Sequence, residues 1–178
     1  GRINPKVPAD AREEAVKHNT ILPIKSYFIY LPEVSISKYD VQTQKQEGLN
    51  KNEYLIDGVI KLVKQLEKKN LSSVIMVREK SQGNLIHEKL NRYYLHGGIG
   101  GEERKRVYDL LRQKETLTII STVTDVGVDI PSLDCVIIAG LTKSKVLAMQ
   151  RIRCGTADGK KKYGKMFIFC PQINYPND

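Results

Sequence analysis

The chain has 178 residues and a mass of 20.2 kDa, the size of one domain with a single substantial core. Its composition, 40% hydrophobic and 28% charged, is that of a globular protein, and no apolar run is long enough to cross a membrane. The cysteines, Cys135, Cys154 and Cys170, are far apart and odd in number, which argues against a disulfide framework or a zinc site and favours a reducing cytoplasmic setting. The formal net charge of +9 predicts a polyanionic partner, most simply nucleic acid; the alternative is a basic surface without a particular partner.

The amino-terminal part of the chain is predicted to be a lead-in followed by a strand. Residues 1–22 contain an irregular stretch and then a helix-forming segment, Ala11–His18. Aromatic and β-branched residues predict a strand at Ile24–Leu31, closed by Pro32. The polar segment Ser35–Asn52 is predicted to be a loop.

Further along, predicted helices alternate with predicted buried strands. Apolar residues at the helical period predict a helix from Glu53 to the stop signal Lys68-Lys69-Asn70. The later predicted elements are a strand at Ser72–Val77, a helix at Asn84–Arg92, a short strand at Tyr93–Leu95, a helix at Glu102–Gln113, strands at Leu117–Ile120 and Cys135–Ala139, a helix at Ser144–Ile152 and a strand at Lys165–Cys170. This alternation predicts right-handed βαβ units in an α/β fold, a three-layer sandwich with a mainly parallel sheet.

A polar turn follows the predicted strand Leu117–Ile120. Open α/β sheets bind ligands at the carboxyl ends of their strands, so its side chains are candidate ligand contacts. Hydroxyl groups can bind phosphate oxygens, an aspartate can hold a ribose hydroxyl or an arginine, and glycine permits close approach of the backbone. The residues concerned are Ser121, Thr122, Thr124, Asp125, Gly127 and Asp129. An ordinary strand-to-helix turn rich in Thr and Asp is the alternative.

Two other strand ends carry candidate residues. Arg78 and Lys80 follow the strand Ser72–Val77, a position that favours phosphate contact over a random surface location. His96 precedes Gly97 and Gly98, and it is either a turn residue or part of a site.

Four blocks in this order resemble motifs of the second RecA-like domain of superfamily two helicases. Val74–Gly83 resembles motif IV, and Tyr94–Gly97 with Glu103-Arg104 resembles the Leu-His-Gly and Glu-Arg elements. Thr122–Pro131 resembles motif V, and Met149–Ile152 resembles the start of motif VI. The resemblance covers roughly Ile24–Pro171. It implies a RecA-like domain, a P-loop NTPase fold lacking the P-loop, at residues 23–178, after the lead-in at 1–22.

The resemblance also implies roles for individual residues. ATP and Mg²⁺ would be bound mainly by an amino-terminal RecA-like domain, with Gly127, Asp129 and Gln150 as this domain's ATP contacts and no metal ligand of its own. Arg151 and Arg153 would be catalytic, because arginines of motif VI stabilise charge on the γ-phosphate. The nucleic-acid contacts would be Arg78, Lys80, His96, Ser121 and Thr122.

Motif VI departs from the family pattern Gln-Arg-x-Gly-Arg-x-x-Arg. Arg153 stands at the position of the glycine, Cys154 at that of the second arginine and Ala157 at that of the third. Either a deletion displaces Arg153 from the second arginine position, or residues are missing from the chain; the abrupt passage Leu90–Tyr93 fits the second explanation.

The chain also lacks the motifs that bind the nucleotide phosphates and magnesium in the first RecA-like domain. Gly155–Lys161 is one spacer residue too short for a P-loop, and no Asp-Glu pair follows a strand. We therefore expect this domain to be inactive by itself.

The expected function is that of the carboxyl-terminal motor domain of an ATP-dependent DNA helicase or translocase. It would unwind or remodel DNA in the cytoplasm, with single-stranded or branched DNA and no membrane as its partner. The stretches Phe28–Val34 and Val74–Gly83 most resemble phage and repair helicases that remodel branched DNA, and a phage-encoded protein would act in the host cytoplasm during repair or recombination. The alternatives are a non-enzymatic basic nucleic-acid-binding module and an RNA helicase domain. A Rossmann-like small-molecule domain is disfavoured because no Gly-x-Gly-x-x-Gly follows the first strand.

Overall fold

The computed structural model describes residues 24–122, 133–140 and 163–176. The strands are β1 (Ile24–Ser35), β2 (Ser73–Val77), β3 (Tyr94–Leu95), β4 (Thr118–Ser121), β5 (Cys135–Ala139) and β6 (Gly164–Asn174). The helices are α1 (Val41–Thr43), which continues as a π-helical segment (Gln44–Asn50), α2 (Glu53–Lys68), α3 (Lys80–Leu90) and α4 (Gly101–Arg112). The predicted lead-in at 1–22 and the predicted helix Ser144–Ile152 lie outside the described residues.

The strands form one six-stranded sheet in the order β1-β6-β5-β2-β4-β3, and every described strand pair is parallel. The connections β1 to β2 and β2 to β3 run one way along this order, whereas β3 to β4 runs back. Right-handed crossovers then place α2 and α3 on one face and α4 on the other. The two hydrophobic clusters agree with this, and the predicted three-layer α/β fold is confirmed.

The face with α2 and α3 holds the larger helical contribution to the core. Asn52 begins α2 by accepting a hydrogen bond from the Leu55 amide (3.2 Å), and Val59 and Val63 continue the buried stripe toward Ile137 of β5. On the opposite face, α4 packs through residues that include Val107 and Leu111. Every residue of β2, β4 and β5 is buried because both faces are covered, as their nearly unbroken apolar sequences predict.

The two long strands extend further than predicted. β1 passes through Pro32 to Ser35, and β6 continues through Pro171 to Asn174. Proline donates no backbone hydrogen bond, and the pairing shifts register between Tyr30 and Glu33, where Pro32 and Pro171 lie. The prediction that Pro32 ends the strand was wrong because the register shift leaves the proline nitrogen outside the ladder.

The prediction of a loop across Ser35–Asn52 was also wrong in part. Asp40 accepts hydrogen bonds from the amide and hydroxyl of Thr43 (2.8 and 2.7 Å) and so begins α1. In the π-helical segment, Gly48 lies directly against Ile173 of β6. This segment has little apolar periodicity because the contact with β6, rather than an amphipathic face, holds it in place.

The connection from α3 to β3 is short, and hydrogen bonds hold its residues in place. α3 starts at Lys80 rather than at Asn84, and it ends with Asn91 in the left-handed conformation (φ 51°). Arg92 then donates two hydrogen bonds of 2.9 Å to the carboxylate of Glu67 at the end of α2. The short connection Leu90–Tyr93 therefore joins α3 to β3 without any additional residues.

The ion pair between Glu67 and Arg92 gives a prediction about pH. The hydrogen bond from Arg92 holds the pKa of Glu67 below its ordinary value of 4.5. A carboxylate with a lowered folded-state pKa stabilises the fold above the unfolded pKa, and this contribution is lost as the pH falls through the folded-state pKa. Glu67→Gln should therefore reduce the unfolding free energy by about 1 kcal/mol at pH 7 and by less in acid, measured by denaturant titration at both pH values.

The exposed pair of Glu103 with Arg106 (2.7 Å) on α4 provides the control. Solvent screening should make Glu103→Gln nearly neutral at either pH. An equal loss for both variants, or a loss for Glu67→Gln that does not change with pH, would contradict the assignment.

Candidate nucleic-acid interface

The carboxyl ends of β2, β4 and β3 are neighbours because the strands are parallel and adjacent. Met76 and Leu95 are both in register with Ser121. The residues that follow each strand, among them Arg78 and Thr122, therefore emerge along one edge of the sheet, called here the carboxyl edge. The amide of Thr122 donates to the carbonyl of Leu95 (3.0 Å), which keeps the pairing intact to this edge.

The turn from β2 into α3 presents positive charge and amide groups that have no acceptor within the helix. Glu79 is the N-cap of α3 but makes no capping hydrogen bond with its side chain, and the first helical bond runs from the Gly83 amide to the Glu79 carbonyl (3.1 Å). The amides of Lys80, Ser81 and Gln82 precede that bond, so they have no acceptor within the helix. With the exposed Lys80 ammonium, this helix start favours an anion.

The one carboxylate in this turn is held by residues of the π-helical segment. Asn50 donates from Nδ2 to Oε2 of Glu79 (3.0 Å), and the ammonium of Lys45 lies 3.9 Å from Oε1. The negative charge of Glu79 is thus partly compensated by this contact, which reduces its repulsion of an incoming phosphate.

Tyr94 connects three of the predicted site residues. Its hydroxyl donates to the carbonyl of Lys80 (3.1 Å), and its ring meets the ring of His96 edge-on at a centroid distance of 5.1 Å. Burial raises the pKa of Tyr94, and a hydrogen bond with the side chain of Thr122 partly offsets that rise. Gly83 of α3 has no side chain because a Cβ atom there would collide with the Tyr94 ring.

His96 is half-buried and presents one nitrogen outward. Its Nδ1 accepts a hydrogen bond from the Gly98 amide (3.1 Å), so the neutral ring carries its proton on Nε2. Burial and, to a lesser degree, the Lys80 ammonium lower the pKa of His96. A neutral imidazole that donates from Nε2 is suited to a phosphate or sugar oxygen.

The Glu103-Arg104 block lies beside this edge, where Glu103 is paired and Arg104 supports a loop. Glu103 is exposed and pairs with Arg106, as a solvated helix face would. Arg104 donates from Nη2 to the carbonyl of Ile99 (3.2 Å) and so supports the loop after His96.

The fold thus brings four of the predicted residues to the carboxyl edge: Arg78, Lys80, His96 and Thr122. Ser121, by contrast, is the last residue of β4 and is completely buried. The hydroxyl of Ser121 remains a predicted phosphate contact that nothing in the geometry tests. The predicted ATP-side residues Gly127, Asp129, Gln150, Arg151 and Arg153 lie outside the described residues.

Sequence reasoning missed Gln82. It is fully buried, and its Oε1 accepts from the amide of Arg78 (3.0 Å), which fixes the backbone at the exit of β2. Its Nε2 has no hydrogen-bond partner among the described residues and points toward Gly140 (φ 80°) at the exit of β5. The capping-box pattern would have marked it, but that pattern needs Ser or Thr at the N-cap, where this chain has Glu79.

Neither a metal site nor a membrane helix occurs in the part of the chain that the structure describes. Within 24–122, 133–140 and 163–176, no three His, Cys, Asp or Glu side chains are grouped closely enough to bind a metal ion. The helices of the same ranges are too short or too polar to span a bilayer.

A cleft of about 590 Å³ lies at the amino end of β4, away from the carboxyl edge. The residues that line it include Glu67, Arg92, His87, Glu115 and Thr116. Glu67 and Arg92 pair with each other at 2.9 Å, so neither of these two charges is free for a ligand.

Several solved structures resemble this fold. Yeast (S. cerevisiae) Dbp5 bound to RNA and ADP-BeF3 matches with a TM-score of 0.55 and 21% identity, covering 91% of this chain and 42% of Dbp5. The Sulfolobus solfataricus SWI2/SNF2 ATPase core in complex with double-stranded DNA matches with a TM-score of 0.61 and 12% identity over 83% and 41% of the two chains. The Pyrococcus furiosus Hef helicase domain matches with a TM-score of 0.53 and 19% identity, covering 66% of this chain and 26% of the Hef chain. This chain thus spans less than half the length of each of these three proteins.

No curated protein sequence matches the chain. The family model described as the helicase conserved C-terminal domain matches residues 50–158, more than half of the chain. This range contains the carboxyl-edge residues Arg78, Lys80, His96 and Thr122, and the sheet has the RecA-like architecture of the structural neighbours. The chain therefore belongs to the helicase conserved C-terminal domain family, as the second RecA-like domain of a superfamily two helicase.

Proposed function

We propose that this chain is the carboxyl-terminal motor domain of an ATP-dependent DNA helicase or translocase that unwinds or remodels DNA, with single-stranded or branched DNA as its partner. The observation that carries the proposal is the grouping of Lys80, Thr122 and His96 around Tyr94, with Arg78 two residues before Lys80 directly after the end of β2. All four side chains can donate hydrogen bonds to phosphate or sugar oxygens. Such contacts position a nucleic-acid backbone without sequence preference, as a motor that moves along it requires.

The nucleotide would lie between this domain and an amino-terminal P-loop domain. In this proposal, Gly127, Asp129 and Gln150 contact ATP, while Arg151 and Arg153 stabilise charge that develops on the γ-phosphate. Mg²⁺ is held mainly by the P-loop domain. Dbp5, a structural neighbour, was solved with ADP-BeF3, which supports a nucleotide site in a protein of this architecture.

Movement would follow from the closing and opening of the cleft between the two domains. When the cleft closes on ATP, the backbone held at the carboxyl edge shifts relative to the partner domain; after hydrolysis it is released. The polar, neutral and cationic groups at this edge suit such a cycle because phosphate contacts are equivalent from one nucleotide to the next.

The setting we propose is the cytoplasm, or the host cytoplasm for a phage-encoded protein, in repair or recombination of branched DNA. The support is the resemblance of Val74–Gly83 and Phe28–Val34 to phage and repair helicases. The Hef helicase domain among the structural neighbours is consistent with this branch.

The phosphate contacts are tested by removing one hydroxyl and one ammonium group. Thr122→Val and Lys80→Ala in the protein encoded by the complete gene should each weaken DNA binding about tenfold at low salt, equally for unrelated sequences. The salt dependence of log K should fall by about one for Lys80→Ala. Binding is measured by fluorescence anisotropy with oligonucleotides at several salt concentrations.

Lys105 on α4 provides the matched control, because it is an exposed lysine inside a helix and does not follow the end of a strand. Lys105→Ala should leave the affinity nearly unchanged. If Lys80→Ala or Thr122→Val lowers the affinity for one DNA sequence only, phosphate contact is refuted. If Lys105→Ala lowers the affinity as much as Lys80→Ala does, the loss reflects the net charge of the protein and not a specific contact.

An RNA helicase domain is the second candidate, and one observation favours it: Dbp5 was solved with RNA. Backbone contacts at the carboxyl edge suit either nucleic acid. Stimulation of ATP hydrolysis by RNA and not by DNA would replace the first proposal with this one. Binding without hydrolysis would leave the non-enzymatic basic module.

A further inference from the structure

A second basic surface lies on β1 and β6, toward their amino ends. Lys25 and Lys165 are in direct register, and two residues further on Tyr27 faces Phe167. Because side chains alternate along a strand, all four lie on one face of the sheet. The rings of Tyr27 and Phe167 are stacked, with centroids 5.2 Å apart and planes at 17°.

Tyr163, just before β6, completes this surface. The ammonium of Lys25 lies 5.4 Å from the centroid of the Tyr163 ring and 5.7 Å from that of Tyr27. Lys25 is exposed, Lys165 is half-buried, and 39% of Tyr163 is accessible to solvent. We call Lys25, Tyr27, Tyr163, Lys165 and Phe167 the basic-aromatic patch.

The position of the two lysines directly opposite each other does not stabilise the sheet. Like charges directly opposite each other on neighbouring strands are destabilising. Neither ammonium forms a salt bridge with a carboxylate of the described residues. Lys25 lies on the edge strand β1, where a lysine protects against pairing with the edge of another sheet. β6 is an interior strand, so this protection does not explain the presence of Lys165.

The sequence around both strands is basic as well. No Asp or Glu occurs from Ala15 to Pro32 or from Gly159 to Asn177, whereas these two segments contain six lysines: Lys17, Lys25, Lys160, Lys161, Lys162 and Lys165. A local excess of positive charge next to exposed aromatic rings is the composition of surfaces that bind nucleic-acid backbones.

We propose that the basic-aromatic patch binds the phosphate backbone of a second segment of the nucleic acid that the carboxyl edge holds. Lys25 and Lys165 neutralise phosphates, and the exposed Tyr163 ring contacts the sugar or base next to them. This inference rests on the proposed function, since it extends the bound nucleic acid beyond the first site.

The register of the sheet gives the separation of the two sites. Ser121 is level with Ile168 through Met76 and Ile138, and Lys165 lies three residues before Ile168 on a strand three positions away. With a rise of about 3.3 Å per residue and about 4.8 Å between strands, the straight distance from Ser121 to Lys165 is roughly 17 Å. Duplex with a spacing of about 3.4 Å per base pair must therefore exceed about five base pairs to reach both sites.

The double variant Lys25→Gln with Lys165→Gln in the protein encoded by the complete gene tests the patch. The exchange removes a like-charge pair, so the fold should be retained. For a fork with arms of about 20 base pairs, the slope of log K against log salt should fall by about 1.8, since two lysines each release close to one counterion. Binding of a cross-linked duplex of about four base pairs, too short to reach the patch, should be unchanged.

A second double variant, Lys61→Gln with Lys105→Gln, removes the same charge from two exposed lysines outside the patch. It should bind the fork like wild type. An equal loss of affinity in both double variants would overturn the assignment of the patch. So would wild-type binding by the patch variant. If DNA still stimulates ATP hydrolysis, the proposed function stands in either case. Failure of the wild-type protein to bind either substrate would overturn both.

Discussion

Arg151→Ala in the protein encoded by the complete gene should lower kcat for ATP hydrolysis by about 10³-fold, the smaller end of what an arginine finger contributes. Gln150 and Arg151 match the start of motif VI, whose arginines stabilise charge on the γ-phosphate as it transfers. Because that charge develops in the transition state, the loss should appear in kcat rather than in the affinity for DNA. Steady-state hydrolysis at saturating DNA, together with DNA binding, measures both quantities.

Arg153→Ala is the companion variant, because it tests whether Arg153 takes the role of the second arginine of motif VI. If a deletion has displaced the second arginine to this position, Arg153→Ala should be as impaired as Arg151→Ala. If Arg153 is a surface residue, its replacement should leave kcat unchanged. An Arg151→Ala protein with wild-type turnover would remove the assignment of Arg151 to ATP.

Gly83→Ala should destabilise the fold by about 2 kcal/mol, although alanine in a helix is normally about 1 kcal/mol better than glycine. The added Cβ would meet the ring of Tyr94, which is fixed by its hydrogen bond to the Lys80 carbonyl. Displacement of Tyr94 would also move His96, so DNA binding should weaken at temperatures where the variant is still folded. Denaturant unfolding and anisotropy measure the two effects.

Gly101→Ala at the start of α4 is the matched control, since a Cβ there would meet nothing within 4 Å. It should be neutral or slightly stabilising. A second test is the double variant Gly83→Ala with Tyr94→Ala, in which the two losses should be less than additive because one change removes the clash of the other. A stabilised Gly83→Ala protein would contradict the tight contact with Tyr94.

Much of the fold could be predicted because local patterns decide it. β2 and β5 are short, almost wholly apolar runs bounded by polar residues, and α2 has a clear apolar stripe from Leu55 to Leu66. The elements that were mispredicted depend on tertiary pairing. β1 continues past Pro32 because β6 runs beside it, and the π-helical segment forms against Ile173.

The candidate site was predictable to a similar extent. Residues that end parallel strands must meet at one edge, so the grouping of Arg78, Thr122 and His96 follows from the predicted topology. The contacts of Tyr94 with Lys80 and Gly83 do not follow from it, because they join residues of two elements through the exact position of one ring. The same holds for the link between Glu79 and Asn50, which are 29 residues apart.

The most direct test of the account is ATP hydrolysis by the protein encoded by the complete gene, with and without forked DNA. We expect slow hydrolysis alone and a severalfold or greater increase when forked DNA is added, because the backbone held at the carboxyl edge aligns the two domains around ATP. Hydrolysis that is absent under both conditions, with DNA binding intact, would contradict the motor function and leave a nucleic-acid-binding module.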